Sequence, residues 1–104
     1  MSNDKQLRIL LHAPTAAALA RARSNAANLA RSALEPVVHI VVNAEGVAAA
    51  LDSPDAATDS LTLVCQNTLN KIGRSASEPL TVLPEGAVLA LARMQHEGWA
   101  YVRA

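Results

Sequence analysis

The 104-residue chain has one cysteine, Cys65, and it closes a short apolar run, Leu61-Thr62-Leu63-Val64. That run reads as a β-strand with Cys65 as its last residue, and Gln66 to Ile72 reads as one or two turns of helix. In open parallel α/β sheets, sites gather at the carboxyl ends of strands. A thiol placed there, directly before a helix, meets unpaired N–H groups and partial positive charge, and both favour the anion. The thiolate is the reactive form, so the chemistry to expect is that of a sulfur nucleophile. Asn67 and Thr68 either hydrogen-bond that anion or cap the turn. His12, at the end of the first apolar run, faces the same rim on this reading, and Arg74, just past the short helix, could bring charge. The plain alternative stays open, because single cysteines in small domains are most often inert packing. His12 has no visible partner carboxylate and reads more simply as a rim residue than as a base.

Other chemistries lack residues to carry them. The three histidines, His12, His39 and His96, have no second His or Cys three or four residues away, so no zinc pattern and no metal site is expected. Gly46, Gly73, Gly86 and Gly98 are scattered and build no phosphate loop or dinucleotide fingerprint. No serine sits in a nucleophile elbow, and no cofactor is expected. His39 lies inside an apolar run as a core or interface histidine, and His96 suits the C-terminal dipole of a helix. Asn25 and Asn28 recur on one helical face, which is ordinarily solvated. Asn28 is kept as a supporting candidate beside Asn67, Thr68 and His12. Trp99 and Tyr101 read as packing or subunit-contact residues.

The elements that must position these groups follow from hydrophobic patterning. Leu7 to His12 is a buried first strand, and Pro14 suits the first turn of a helix running to about residue 33. That helix is rich in Ala, Leu and Arg, with a stripe of Leu19, Ala22, Ala26, Leu29 and Ala33. Val37 to Val42 is β-branched and nearly continuous, the mark of a strand covered on both faces. Asn43 to Gly46 reads as a turn and Val47 to Leu51 as a short helix. Gly73 stops the helix that follows Cys65, and Leu80 to Leu83 is a fourth strand. Pro84-Glu85 opens a last helix, with the acid in its first turn, and Gly98 closes it. Trp99 to Arg103 alternates as a final strand near an edge. Strands alternating with helices imply a parallel sheet with helices on both faces and right-handed crossovers.

Bulk properties bound the function. The length suits one domain, residues 1–104, with residues 1–6 as a polar tail. Hydrophobic residues are 51% and charged residues 17%, an apolar, low-charge balance that leans towards an oligomer. Nine basic and nine acidic residues cancel, so no general attraction to nucleic acid or anionic lipid is expected. With no Phe, one Trp and one Tyr there is no platform for stacking bases. The first apolar run, about six residues, is too short for a signal peptide or a membrane span. A lone cysteine fits a reducing compartment, and the expected location is the cytoplasm.

Three segments together resemble the DsrE/DsrF-like family of intracellular sulfur-oxidation and sulfur-relay proteins. They are Val41-Val42-Asn43-Ala44-Glu45-Gly46-Val47, then Leu63-Val64-Cys65-Gln66-Asn67-Thr68-Leu69, then Gln95-His96-Glu97-Gly98-Trp99-Ala100-Tyr101-Val102. The likeness runs from Leu7 to Arg103, with Ala44 standing where the family often carries Gly. It implies a three-layer α/β/α fold with a five-stranded parallel sheet of order 4-3-2-1-5, and homo-oligomers as dimers, trimers or hexamers. It also implies that Cys65 accepts sulfane sulfur from a donor protein as a persulfide and hands it to a partner thiol. A non-catalytic oligomeric binding module and a thiol redox sensor are the competing expectations.

Overall fold

The computed structural model describes residues 6–104. The polar tail expected at residues 1–6 lies, but for Gln6, outside the described residues. Five strands pair in the order β4-β3-β2-β1-β5, every pair parallel. They are β1 (Arg8–Ala13), β2 (Val37–Val42), β3 (Thr62–Val64), β4 (Thr81–Val82) and β5 (Ala100–Arg103). Four α-helices connect them: α1 (Ala16–Ala30), α2 (Glu45–Asp52), α3 (Gln66–Ile72) and α4 (Ala87–His96). The expected alternation of strand and helix, and the expected strand order, are both present.

Register sorts the side chains into two faces, because strand residues alternate. Leu10 lies opposite His39 and Tyr101, and Leu11 lies opposite Ile40 and Val102. The face of Ile9, Leu11 and Val102 meets α1, whose Ala18, Leu19, Ala22 and Ala26 are buried. The α2 helix packs beside α1. The opposite face continues through Val41 and Leu63 to Cys65 and meets α4, which packs on β2 and β5. Ile40, Val41 and Val42 of β2 are fully buried between these layers. Such side chains contribute about 1.5–3 kcal/mol each.

Several element ends differ from the sequence expectation, each for a local reason. Thr15 caps α1 by accepting the Ala18 N–H at 3.0 Å, so the helix begins after Pro14 rather than on it. The helix stops at Ala30, and Ala33 is exposed beyond it instead of continuing the stripe. Asn43 to Gly46 is no separate turn, because α2 already starts at Glu45. The last helix begins at Ala87 and has no acid in its first turn; Glu85 instead pairs with Arg93 at 2.9 Å. Gly73 does end α3, in the left-handed conformation at φ 68°. The strand β5 is an edge strand as expected, with Tyr101 and Val102 exposed.

The β2–α2 junction is the tightest point of the fold. A Cβ on Gly46 would lie 2.1 Å from the Ala13 carbonyl oxygen, so the first turn of α2 touches the end of β1 backbone to backbone. Next to it Ala44 holds φ 48°, a conformation that disfavours a side chain. Gly46→Ala should therefore destabilise the protein by about 3 kcal/mol, and Ala44→Gly should stabilise it by about 1 kcal/mol. Urea unfolding of the two variants checks both signs.

Candidate functional site

The carboxyl ends of β1, β2 and β3 bring His12, Asn43 and Cys65 to one rim of the sheet. Cys65 extends the β3 ladder by one residue, its N–H donating to the Val42 carbonyl at 3.0 Å. It then serves as the residue before α3. Its side chain turns to the α4 face, where the Ala87 N–H donates to Sγ at 3.3 Å. That N–H is one of the first donors of α4 and has no carbonyl within its own helix to meet.

Two other groups come near the sulfur. Thr68, one turn into α3, accepts the Ala44 N–H at 3.2 Å on its hydroxyl oxygen, which leaves the hydroxyl proton for another acceptor. The Thr68 hydroxyl and the N–H groups of Thr68 and Asn67 surround Sγ closely enough to favour an anion, although only Ala87 meets hydrogen-bond geometry. Burial pushes the Cys65 thiol up. The Thr68 hydroxyl, then the N–H groups of Thr68, Ala87 and Asn67, outweigh it and hold the thiol below its ordinary value. The residue is only 5% exposed.

An open cleft of about 630 Å³ lies over the sulfur, between α3 and the start of α4. Asn43, Cys65, Asn67 and Gly86 form its polar end, and Val88 and Leu89 its apolar lip. Both lip residues are exposed, at 75% and 61%. No charged side chain lines it. Gly86 matters here because Asn67 leans over it, with Nδ2 2.5 Å from where a Cβ would sit.

The candidates drawn from the sequence divide clearly. Cys65, Asn67 and Thr68 come together. His12 is at the rim but does not touch the sulfur; its Nδ1 is 2.6 Å from the Tyr101 hydroxyl and its Nε2 2.9 Å from Asn43 Oδ1. Asn28 is a correction: it lies near the end of α1, at the opposite edge of the sheet, and accepts from Arg31 at 2.6 Å. Helices in a parallel sheet run against the strands, so a residue late in α1 is carried away from the strand ends. Arg74 brings no charge to Cys65, since its guanidinium is bound to Asp52 at 2.8 Å. His39 donates from Nδ1 to the Leu61 carbonyl at 3.1 Å and packs against Trp99, a satisfied, half-buried histidine. His96 ends α4.

Two contributors had little or no signal in the chain. Ala87 acts through its backbone, and nothing in its identity marks it. Asn43 follows β2 directly, and the strand-end rule that singled out Cys65 applies to it equally. Among the described residues no three His, Cys, Asp or Glu side chains converge as a metal site, and no helix is long and apolar enough to cross a membrane. The arrangement is thus an uncharged cleft with one anion-stabilised sulfur at its floor. Compared with known proteins, the chain matches no family model and no curated protein.

The lowered thiol has two consequences. Thr68→Val should move the pH profile of Cys65 alkylation upward and slow alkylation at pH 7 by about fivefold, the worth of one hydrogen bond. A group whose value is depressed by folding adds stability that is complete above its unfolded value, about 8.5 for a thiol, and lost as pH falls through the folded value. Chemical unfolding across that range should show the rise in the native chain and a flat profile in Cys65→Ser.

Proposed function

We propose that this protein is a sulfur carrier of the DsrE/DsrF-like kind, in which Cys65 holds sulfane sulfur as a persulfide. The observation that carries this reading is the Cys65 sulfur on the floor of an uncharged cleft, taking the Ala87 N–H at 3.3 Å. A carrier needs a thiol that ionises near neutral pH, that a donor can reach, and that gives the sulfur up again. The donors around Sγ lower the thiol, which favours the first need, and the cleft beside it supports the second.

The chemistry is displacement at sulfur. The Cys65 thiolate attacks the outer sulfur of a donor persulfide, R–S–SH. The new S–S bond forms, the donor's S–S bond breaks, and R–S⁻ leaves. In the return step an acceptor thiolate attacks the outer sulfur of Cys65–S–SH, and the Cys65 thiolate is the leaving group. A stabilised thiolate departs more readily, so the same hydrogen bonds serve both halves. No metal, cofactor or general base is needed. Tyr101 and Val102 on the open edge of β5, with the low charge of the chain, support the homo-oligomeric part of the reading.

A redox sensor working through an intersubunit disulfide is less well supported. Two Cys65 Cα atoms would have to come within about 7 Å, while this residue is 5% exposed beneath the first turn of α4. Intact mass spectrometry after brief treatment with inorganic polysulfide tests the carrier reading. The native chain should gain sulfur that reductant removes, and Cys65→Ser should gain none. A native chain that stays unmodified, while its urea-unfolded form reacts, would leave Cys65 as packing.

A further inference from the structure

We infer that the outer edge of β5 binds a second copy of this chain by antiparallel strand pairing about a two-fold axis at Val102, so that two five-stranded sheets join into one. The inference rests on the homo-oligomeric part of the carrier reading above and not on its sulfur step.

The two edges of the sheet are built differently. The β4 strand is two residues long and lies between Pro79 and Pro84. Short strands and prolines are among the devices that keep a sheet edge from pairing. The β5 strand has neither. Its four residues, Ala100-Tyr101-Val102-Arg103, are all exposed and include no proline and no lysine. Among the described residues no strand lies beyond it. The Ala104 N–H donates to the His12 carbonyl at 2.9 Å. Backbone groups alternate in direction along a strand, so Ala100 and Val102 also turn theirs to β1. Tyr101 and Arg103 turn their N–H and C=O groups outward, with nothing to pair them.

This edge is complementary to itself. Antiparallel pairing sets outward-turned residues opposite one another, which leaves three registers. One centred on Arg103 puts two guanidinium groups side by side, and like charges directly opposite are unfavourable. One centred on Tyr101 calls on the Trp99 N–H, which already donates to the Met94 carbonyl at 3.0 Å. The register centred on Val102 pairs Tyr101 with Arg103 of the partner subunit, and Arg103 with the partner's Tyr101. It satisfies every outward group on both copies. It also places the one cation of each strand beside a tyrosine ring, where the two attract.

The side chains agree with that register. Val102 lies opposite Leu11, on the face that meets α1. The α1 helix lies over β1 and β2. At the β5 edge it leaves a groove of about 270 Å³ with Ile9, Leu11, Leu29 and Val102 as apolar lining and Asn25 and Asn28 as polar lining. Joining the edges at Val102 sets Val102 against its own counterpart and brings the two grooves together as one apolar seam. Among the described residues no charged side chain lines it. Carboxamides both donate and accept, so Asn25 and Asn28 meet their counterparts without repulsion. A two-fold contact requires this neutral, self-matching chemistry, and a strongly charged partner finds no opposite charge there.

Sedimentation velocity across a concentration series tests the inference, and the native chain should associate as a dimer. Val102→Lys sets two ammonium groups together at the axis. Arg103→Pro removes an outward N–H and leaves the β1 ladder whole. Both should keep the far-UV circular dichroism of the native chain and weaken dimerisation about a hundredfold or more. Amide exchange by NMR needs no variant. The Tyr101 and Arg103 N–H groups should be protected in concentrated protein and lose protection on dilution, while the Val102 N–H, held by β1, stays protected throughout. A monomeric native chain overturns the inference and leaves the edge to a strand of another protein. A trimer, which has no two-fold axis, overturns it too. So does a dimer whose Tyr101 and Arg103 amides exchange freely, or whose Kd neither folded variant changes. All of this is measured on protein never exposed to polysulfide, so a chain that dimerises by this edge but gains no sulfur defeats the carrier reading and leaves the inference standing.

Discussion

Parallel pairing throughout the sheet is the constraint on which the rest of this structure depends. Every strand must finish at the same edge, so His12, Asn43 and Cys65, far apart in sequence, lie at the ends of three successive strands, each about 4.8 Å from the next. The β1–β2–β3 path steps one way across the sheet, with α1 and α2 on one face. The return from β4 to β5 then sends α4 over the other face, with its N-terminus beside the end of β3. The donor that reaches Cys65 is therefore a consequence of connectivity. A strand of opposite sense in place of β3 would put the cysteine at the far edge, among helix C-termini whose partial negative charge disfavours a thiolate.

Cys65 shows a contest between two effects of similar size. Burial favours the neutral thiol, and each hydrogen bond to the sulfur favours the anion by about 1 kcal/mol or more. Together the donors outweigh burial and tilt the outcome to the anion. These donors come from two different helices. A movement of α4 relative to α3 would remove the Ala87 contribution and leave those of Thr68 and Asn67 in place. The strained Ala44 belongs to this economy as well, since its N–H holds the Thr68 oxygen. Strain of this kind persists only where surrounding structure over-determines it, and here the close approach of Gly46 to Ala13 does so.

Much of this was legible in the residues themselves. The β-branched run of β2, the Ala-rich stripe of α1 and the Gly73 stop are local patterns with local causes, and they hold at nearly the expected positions. The choice of Cys65 came from one positional rule about strand ends. The element ends that shifted did so through particular contacts, such as Thr15 capping Ala18 and Ala13 lying against Gly46. Gly46 reads as a turn residue in isolation and is helical because Ala13 comes against it. Glu85 reads as a helix-opening acid and is drawn to Arg93 instead.

By itself the sequence determined the alternation of strand and helix, the doubly covered central strand and the cysteine at a strand end, because each depends on spacing and residue type within a few positions. Only the tertiary structure decided that the Ala87 N–H reaches the Cys65 sulfur, that His12 is held between Tyr101 and Asn43, and that Asn28 and Arg74 are elsewhere. The contacts of Cys65, His12 and Arg74 are meetings between groups 22 to 89 positions apart. No local pattern encodes them, because the crossovers and the packing of α4 on the sheet fix which backbone donor and which side chain arrive at the rim.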